Sequence, residues 1–403
     1  MDKSIIPVLL GADLNCYSVA RAFHEAYNVP SYAFGKKLLG ESAHSKIIKF
    51  TSISELSKSD VLCSTLEAFA KNHSGAELYL VPCTDEYALA IAENQEYLKK
   101  YYIFLCPEPN LAKKLSSKEF FSGLCREHNI PFPKSEFFYT TSSFTILDSL
   151  PFPYPIIIKP SCSAEYWRTP FDGMKKVYTA ETPEEAKKII SEIFSAGYQN
   201  SIVLQELIPA KEDEVFVLTA YADKNSKVRA ACMGRVLLGE HTPKGLGNHV
   251  AIVTEYHEEI TQKLCDFLEN IGYCGFANFD ILYDKRDSSF KVLELNTRQG
   301  RSNYYMTAAG MNIARIIVES SKGNLPGKRN ICQKNIFWHT VPKTIIYRYI
   351  TDKALLKKVK ALAENGKKST TLFYLKDLFL NPLRAAYVFI HNVHYFVKYN
   401  KYR

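Results

Sequence analysis

Two apolar runs near residue 280 constrain this chain more than any other feature. The first, Gly275-Phe276-Ala277-Asn278-Phe279-Asp280, ends in an acid. The second, Val292-Leu293-Glu294-Leu295-Asn296-Thr297-Arg298, carries an acid and an amide two residues apart. Side chains alternate along a strand, so Glu294 and Asn296 fall on one face. The polar stretch Asp284-Lys285-Arg286-Asp287 predicts a turn that pairs the runs antiparallel and brings Asp280 beside them. Three oxygen-bearing side chains then converge, with Arg298 two residues on. A hard cation such as Mg2+ takes one or two carboxylates and leaves its other positions to phosphate oxygens. The hairpin therefore reads as a magnesium–nucleotide site.

The rest of the chain supplies a scaffold for such a site. Residues 5–10 read as a buried strand, Gly11-Ala12-Asp13-Leu14-Asn15 as a turn, and 16–27 as a helix. Apolar runs at 78–82 and 101–105 flank a helical pattern over 85–98. Such alternation predicts a parallel sheet with helices on its faces. The Gly11-Ala12-Asp13 turn lies at the carboxyl end of the first strand, where open α/β sheets bind ligands, but it lacks a Gly-x-Gly-x-x-Gly fingerprint. Further on, Ser116 and Glu119 have capping-box spacing and predict a helix to about His128. A strand at 156–159 precedes a small-residue loop over 160–175. Thr182-Pro183-Glu184-Glu185 opens a helix that Gly197 closes. Residues 202–206 form another strand, 214–254 are strand-like with a polar loop at 239–247, and a helix over 257–270 precedes the hairpin.

Composition narrows the function classes. The ten cysteines show no Cys-x-x-Cys spacing and sit in apolar or helical patterns, as buried free thiols do in a reducing compartment. The opening apolar run is short and lacks a charged lead, so a signal peptide is not expected. The stretch 385–397 contains His391, Asn392 and His394 and is too short and polar to span a bilayer. The net charge of +9 is unevenly placed. Residues 331–403 carry fourteen Lys and Arg against three Asp and Glu, whereas the remainder carries 37 against 39. That basic tail favours an anionic partner. Its aromatics interleave with basics (Tyr387, Phe389, Tyr395, Phe396, Lys398, Tyr399, Tyr402, Arg403) as in interfacial helices, which marks residues 331–403 for peripheral membrane contact. No nucleic-acid motif accompanies it.

Taken in order, Lys118 begins a capped helix, Lys159 ends a strand before a loop, and Gln205-Glu206-Leu207-Ile208-Pro209 ends another strand. Acids follow at 212–214, and then come Asp280, Glu294 and Asn296. This series resembles the ATP-grasp superfamily over residues 116–310. The resemblance implies an α/β and α+β ATP-grasp fold. Its expected parts are an N-terminal parallel-sheet domain (1–115), a first subdomain with the phosphate lid (116–205), a second with the metal site (206–330) and a basic, partly helical extension (331–403). It implies ATP and Mg2+ as cofactors. Lys118 and Lys159 would meet the phosphates as point charges, and Gln205, Glu206, Leu207 and Ile208 would line the adenine pocket. Asp213 would take the ribose, with Glu214 its rival, and Asp280, Glu294 and Asn296 would hold the metal. The lid loop is Ser-rich where many relatives are Gly-rich.

A closer likeness runs through nearly the whole chain. Gly11-Ala12-Asp13-Leu14-Asn15, Ala20-Arg21-Ala22-Phe23, the run 275–280, Arg298-Gln299-Gly300-Arg301-Ser302 and Val341-Pro342-Lys343 resemble D-aspartate ligases of Gram-positive bacteria. That family implies a cytoplasmic cell-wall enzyme, at or near the inner membrane surface. Such an enzyme joins the β-carboxylate of D-aspartate to the lysine amine of a peptidoglycan stem peptide, an anionic UDP-linked acceptor, through an acyl phosphate. Arg298 is expected near the acyl phosphate and Arg301 near the acid's carboxylate, because a guanidinium fork suits both groups. The alternatives are another ATP-grasp amino-acid or peptide ligase, or a nucleotide-binding membrane-surface protein without turnover.

Overall fold

In the computed structural model, residues 4–242 and 245–402 are described. Pro243 and Lys244, within the polar loop expected at 239–247, and Arg403 of the tail lie outside them. The chain forms two compact units. One comprises Met1–Ala112, Glu212–Phe279 and Asn296–Arg403, the other Lys113–Lys211 and Asp280–Leu295.

The first unit opens with a parallel sheet of β1 (Ile5–Leu10), β2 (Ser31–Gly35), β3 (Ile48–Ser52) and β4 (Glu77–Pro82), in the order β3-β2-β1-β4. The unbroken apolar run of β1 is what a strand covered on both faces requires. The turn after it is tight. Gly11 has φ +143° and approaches Cys83 so closely that a Cβ would sit 2.8 Å from that side chain, which only glycine tolerates. Asp13 then caps the helix Leu14–Tyr27 by accepting from Cys16 N, so this helix starts two residues earlier than the sequence predicts. The helix expected over 85–98 is interrupted at Asn94, giving Asp85–Glu93 and Gln95–Leu98. The strand expected at 101–105 reduces to one bridge between Tyr79 and Ile103.

The second unit is built on an antiparallel sheet of β5 (Ser135–Phe138), β6 (Ile156–Pro160), β7 (Tyr178–Ala180) and β8 (Ile202–Glu206), ordered β5-β8-β6-β7. Its core joins Ile156, Ile158, Ile202 and Leu204 of the sheet to Ile190 and Ile193 of the helix Pro183–Ser195. Thr182 caps that helix as expected. The helix Lys118–Glu127 is capped by Ser117, not Ser116. Glu119 turns away from the cap and accepts from Ser201 Oγ at 2.9 Å. A tertiary partner for the acid displaces the local capping box.

Returning to the first unit, a larger sheet contains β9 (Val215–Ala222), β10 (Val228–Gly239), β11 (His249–Thr254) and the first half of β12 (Gly275–Asp284), whose residues from Asp280 on belong to the second unit. β13 (Ser289–Asn296) follows β12 across the expected turn and neighbours it. The basic tail is woven into this sheet. β14 (Asn330–Ile331) lies parallel to β10, β15 (Phe337–His339) pairs antiparallel with β11, and β16 (Lys368–Thr370) pairs parallel with β15. Trp338 is fully buried there, a burial worth roughly 3 kcal/mol. Helices Lys343–Tyr349, Lys353–Glu364 and Pro382–Lys401 complete the tail. The last is pinned by Arg384, which is 0 % exposed and lies 3.2 Å from the equally buried Asp377. Arg384 also donates to the carbonyls of Gly40 and Ala43.

Candidate active site

The second unit gathers charge at one place. β12 delivers Asp280 and β13 delivers Glu294, whose side chains are within hydrogen-bonding reach of each other. Two carboxyl groups so close repel unless a proton or cation joins them. Burial pushes the Glu294 carboxyl up, but Lys118, Lys176 and Lys159 outweigh it and hold that group at about 2. Lys159, at the end of β6, is itself lowered to about 8, first by burial and then by Lys118, with Glu294 opposing. A lysine cluster that depresses its own member's pKa lacks negative charge.

Neighbouring residues fix these groups. Gln205 Oε1 accepts from Lys159 Nζ at 3.0 Å, while Gln205 Nε2 donates to Ser135 Oγ at 2.8 Å. Glu206 accepts from Lys134 N at 2.8 Å and from Arg286 at 2.9 Å, so its carboxylate holds the strand ends together. Leu207 is half-buried and Ile208 buried. A narrow cleft, with about 20 Å³ of free volume, is lined by Lys118, Phe121, Phe132, Phe137, Lys159, Gln205 and Val292. Its aromatic walls and lysine rim suit a planar base joined to phosphates. The loop over 160–175 contains a short helix, Ser163–Tyr166, and is stapled by tyrosines. Tyr166 Oη lies 2.7 Å from Tyr178 Oη and donates to Lys175 O at 3.0 Å, and Cys162 N donates to Tyr198 Oη at 3.0 Å.

The donor set fits magnesium. Two carboxylates are what an ion needs that shares its remaining positions with phosphates and water. Among the described residues no group of three or more His, Cys, Asp or Glu side chains is placed to hold a metal ion, so the protein's share here is the carboxylate pair. Asn296 ends β13 in the first unit, where its Nδ2 donates to Asn278 O at 3.4 Å. Asp213 and Glu214 also lie in the first unit, buried in the 3-10 turn Glu212–Glu214.

A second charged centre occupies the first unit. In the order β3-β2-β1-β4 the chain reverses direction between β1 and β4, and such switch points open a crevice at the strands' carboxyl ends. The segment after β13 enters there. Gln299 Nε2 donates to Pro82 O at 2.7 Å, and Asn15 Nδ2 donates to Cys83 O at 2.9 Å and to Gln299 O at 3.3 Å. Arg298 pairs with Asp85 at 2.7 Å. Arg301 lies 3.3 Å from Glu41 and 3.7 Å from Asp13. Burial raises the Asp13 carboxyl above its ordinary value, against the pull of Arg301.

Sequence reasoning found both arginines and the carboxylate pair but missed Lys176, Glu41 and Asp85. Lys176 follows the predicted lid by one residue. Glu41 and Asp85 belong to no motif, and only the folding of the loops at the sheet's carboxyl edge brings them to the arginines.

Comparison with known proteins agrees with this architecture. Residues 118–325 match the family described as carbamoyl-phosphate synthase L chain, ATP binding domain. The chain is 34 % identical over 413 residues to a D-aspartate ligase from Enterococcus faecium (strain Aus0004), covering 100 % of this chain and 97 % of that protein. In fold it is similar to the biotin carboxylase domain of Hydrogenobacter thermophilus 2-oxoglutarate carboxylase, solved with MgADP, ADP and bicarbonate, with a TM-score of 0.59 at 13 % identity. That match covers 80 % of this chain and 71 % of the other. An L-amino acid ligase from Bacillus licheniformis gives a TM-score of 0.57 at 11 % identity, covering 82 % and 78 %. ATP and Mg2+ are the cofactors such a fold serves. The chain belongs to the ATP-grasp superfamily, as a D-aspartate ligase-like, ATP-dependent and ADP-forming ligase.

Proposed function

We propose that this ligase joins the β-carboxylate of D-aspartate to the lysine side-chain amine of a peptidoglycan precursor stem peptide, in the cytoplasm. The observation that carries the chemistry is the Asp280–Glu294 pair ringed by Lys118, Lys159 and Lys176. The reaction begins with a carboxylate oxygen attacking the γ-phosphorus of ATP, which breaks the bond to the β-phosphate oxygen and releases ADP. An amine then attacks the acyl carbon, phosphate leaves, and the amine's proton passes to solvent or a nearby base. Both reactants of the first step are anions, so the protein must neutralise and align them. Lys118 and Lys159 supply fixed positive charge to the phosphates, and Gln205 holds Lys159 in place. Asp280, Glu294 and, two residues along the same strand, Asn296 would hold Mg2+, which supplies charge stabilisation to the phosphoryl oxygens. The apolar wall of the cleft and Ile208 would take the adenine, and Asp213 the ribose.

The acid is inferred from the kinds of charge present. D-aspartate carries two carboxylates and one ammonium. The switch-point crevice carries two guanidinium groups, Arg298 beside Asp85 and Arg301 beside Asp13 and Glu41. In this reading the guanidinium groups take the substrate's carboxylates, exchanging their present partners for them, and a carboxylate beside Arg301 takes its ammonium. The family relationship to a D-aspartate ligase supports the same choice. The test is purified protein with MgATP, D-aspartate and a UDP-linked pentapeptide, scored by mass for one added aspartyl residue and by ADP release. Turnover with L-amino acids but not with D-aspartate would assign the crevice to a different acid.

A further inference from the structure

The C-terminal helix Pro382–Lys401 has two apolar faces, and the protein covers only one. Arg384, Val388, Tyr395 and Tyr399 are buried against the first unit. On the other side Leu383 is 63 % exposed, Phe389 70 %, Ile390 60 %, Val393 48 % and Val397 58 %. At about 100° per residue these side chains share an arc of about 120°, one continuous stripe along a 20-residue helix. The chain leading into the helix extends the stripe, with Phe379 72 % and Leu380 79 % exposed. Isolated exposed apolar residues are ordinary, but a contiguous patch of this kind marks an interaction surface.

The charges around the patch name its partner. Between residues 373 and 402 the sequence contains one acid, Asp377, and that acid is 0 % exposed and paired to Arg384. The cations at the surface are Lys376 and Lys401, with the half-exposed Lys398, which pairs with Glu240 at 3.5 Å, and with Lys46 joining them by donating to the carbonyls of Phe379 and Leu380 at 2.8 and 3.0 Å. A second copy docking through this stripe would bring cations of one sign together. A lipid headgroup layer of negative charge complements them and accepts the apolar side chains beneath. No helix of the described residues is long and apolar enough to cross a membrane.

We propose that residues 373–402 form a docking face for an anionic lipid surface, with the helix lying in the interface plane, its apolar stripe in the acyl boundary and its lysines at the headgroups. The inference is independent of the ligase chemistry, because none of these side chains belongs to either charged centre.

Sedimentation of the full-length protein with phosphatidylglycerol-containing vesicles and with neutral phosphatidylcholine vesicles tests it. Binding is expected to the anionic vesicles, to weaken with salt, and to fall at least about tenfold in a Phe389→Ser/Ile390→Ser variant. Both replaced side chains are exposed, so circular dichroism and ADP release should match the parent. Absence of binding to anionic vesicles, or binding that the double substitution leaves unchanged, overturns the proposal. So does a concentration-dependent dimer, seen by ultracentrifugation, that the same substitutions abolish, because the stripe then covers a second copy.

Discussion

Replacing Glu294 by Gln isolates the electrostatics of the candidate site, since shape is kept and only the charge is lost. The Glu294 carboxyl is held at about 2 instead of its ordinary 4.5, chiefly by Lys118, Lys176 and Lys159 acting against burial. At about 1.36 kcal/mol per pKa unit this corresponds to about 3 kcal/mol of stabilisation by the charged form. That figure is a ceiling, because Gln can still accept the hydrogen bond from Asp280 that helps to hold Glu294 low. The folded-state value lies below the unfolded one. The contribution is therefore complete above about pH 4.5 and is lost as the pH falls towards 2. Glu294→Gln should thus be less stable than the parent at pH 7 by up to about 3 kcal/mol, and the gap should close as the pH drops below 4.5. Urea unfolding followed by circular dichroism across that range measures it, with unchanged denaturant slopes confirming that the unfolded state is the same. ADP release should vanish in the same protein. A gap that is equal at low and neutral pH, or a variant more stable than the parent at pH 7, would show that the lysines do not compensate this carboxylate.

Lys159 gives a kinetic counterpart. Its depressed value of about 8 means that kcat/KM for ATP, which reports the free enzyme, should decline as the pH rises through that region, and Lys159→Arg should move the decline to higher pH. Arg301→Lys should raise KM for the acid by about tenfold or more while leaving that for ATP near its parent value, because a point charge replaces a two-pronged donor; a change confined to the ATP constant would make Arg301 a phosphate residue. Arg384→Met should destabilise the fold in urea unfolding by up to about 3 kcal/mol, since it removes the buried cation beside Asp377 and leaves that carboxylate to the donors Tyr17 Oη, Ser45 Oγ and Lys46 N. Adding Asp377→Asn, which keeps an acceptor for those donors and removes the unpaired charge, should recover part of the loss, and no recovery would refute the pairing.

Much of this site could be read before any coordinates. The period-2 placement of Glu294 and the turn over 284–287 were enough to put Glu294 beside Asp280, because strand alternation is a local property of the backbone. Lys159 at the end of its strand and the Thr182 cap were legible for the same reason. The helix cap at Ser116 was not, because Ser117 and the distant Ser201 compete for the same helix start and for Glu119. Nor did the sequence reveal that Glu206 would be engaged by Arg286, eighty residues away. Gln205 lines the cleft, and the sequence did not reveal that its side chain also holds Lys159.

What the sequence by itself determined is the charged alphabet of the candidate site: two lysines at element ends, two acids on a hairpin and two arginines after it. Each is fixed by spacing within a few residues, where backbone geometry leaves little choice. What the tertiary structure decided is which charges answer them. Glu41, Asp85 and Asp13 reach the arginines only because a parallel sheet reverses its strand order and opens a crevice at its edge. The basic tail became part of a sheet because β15 found an open edge on β11. Such pairings join residues between 84 and 288 positions apart, where no periodicity operates and only the burial of apolar surface chooses the partners.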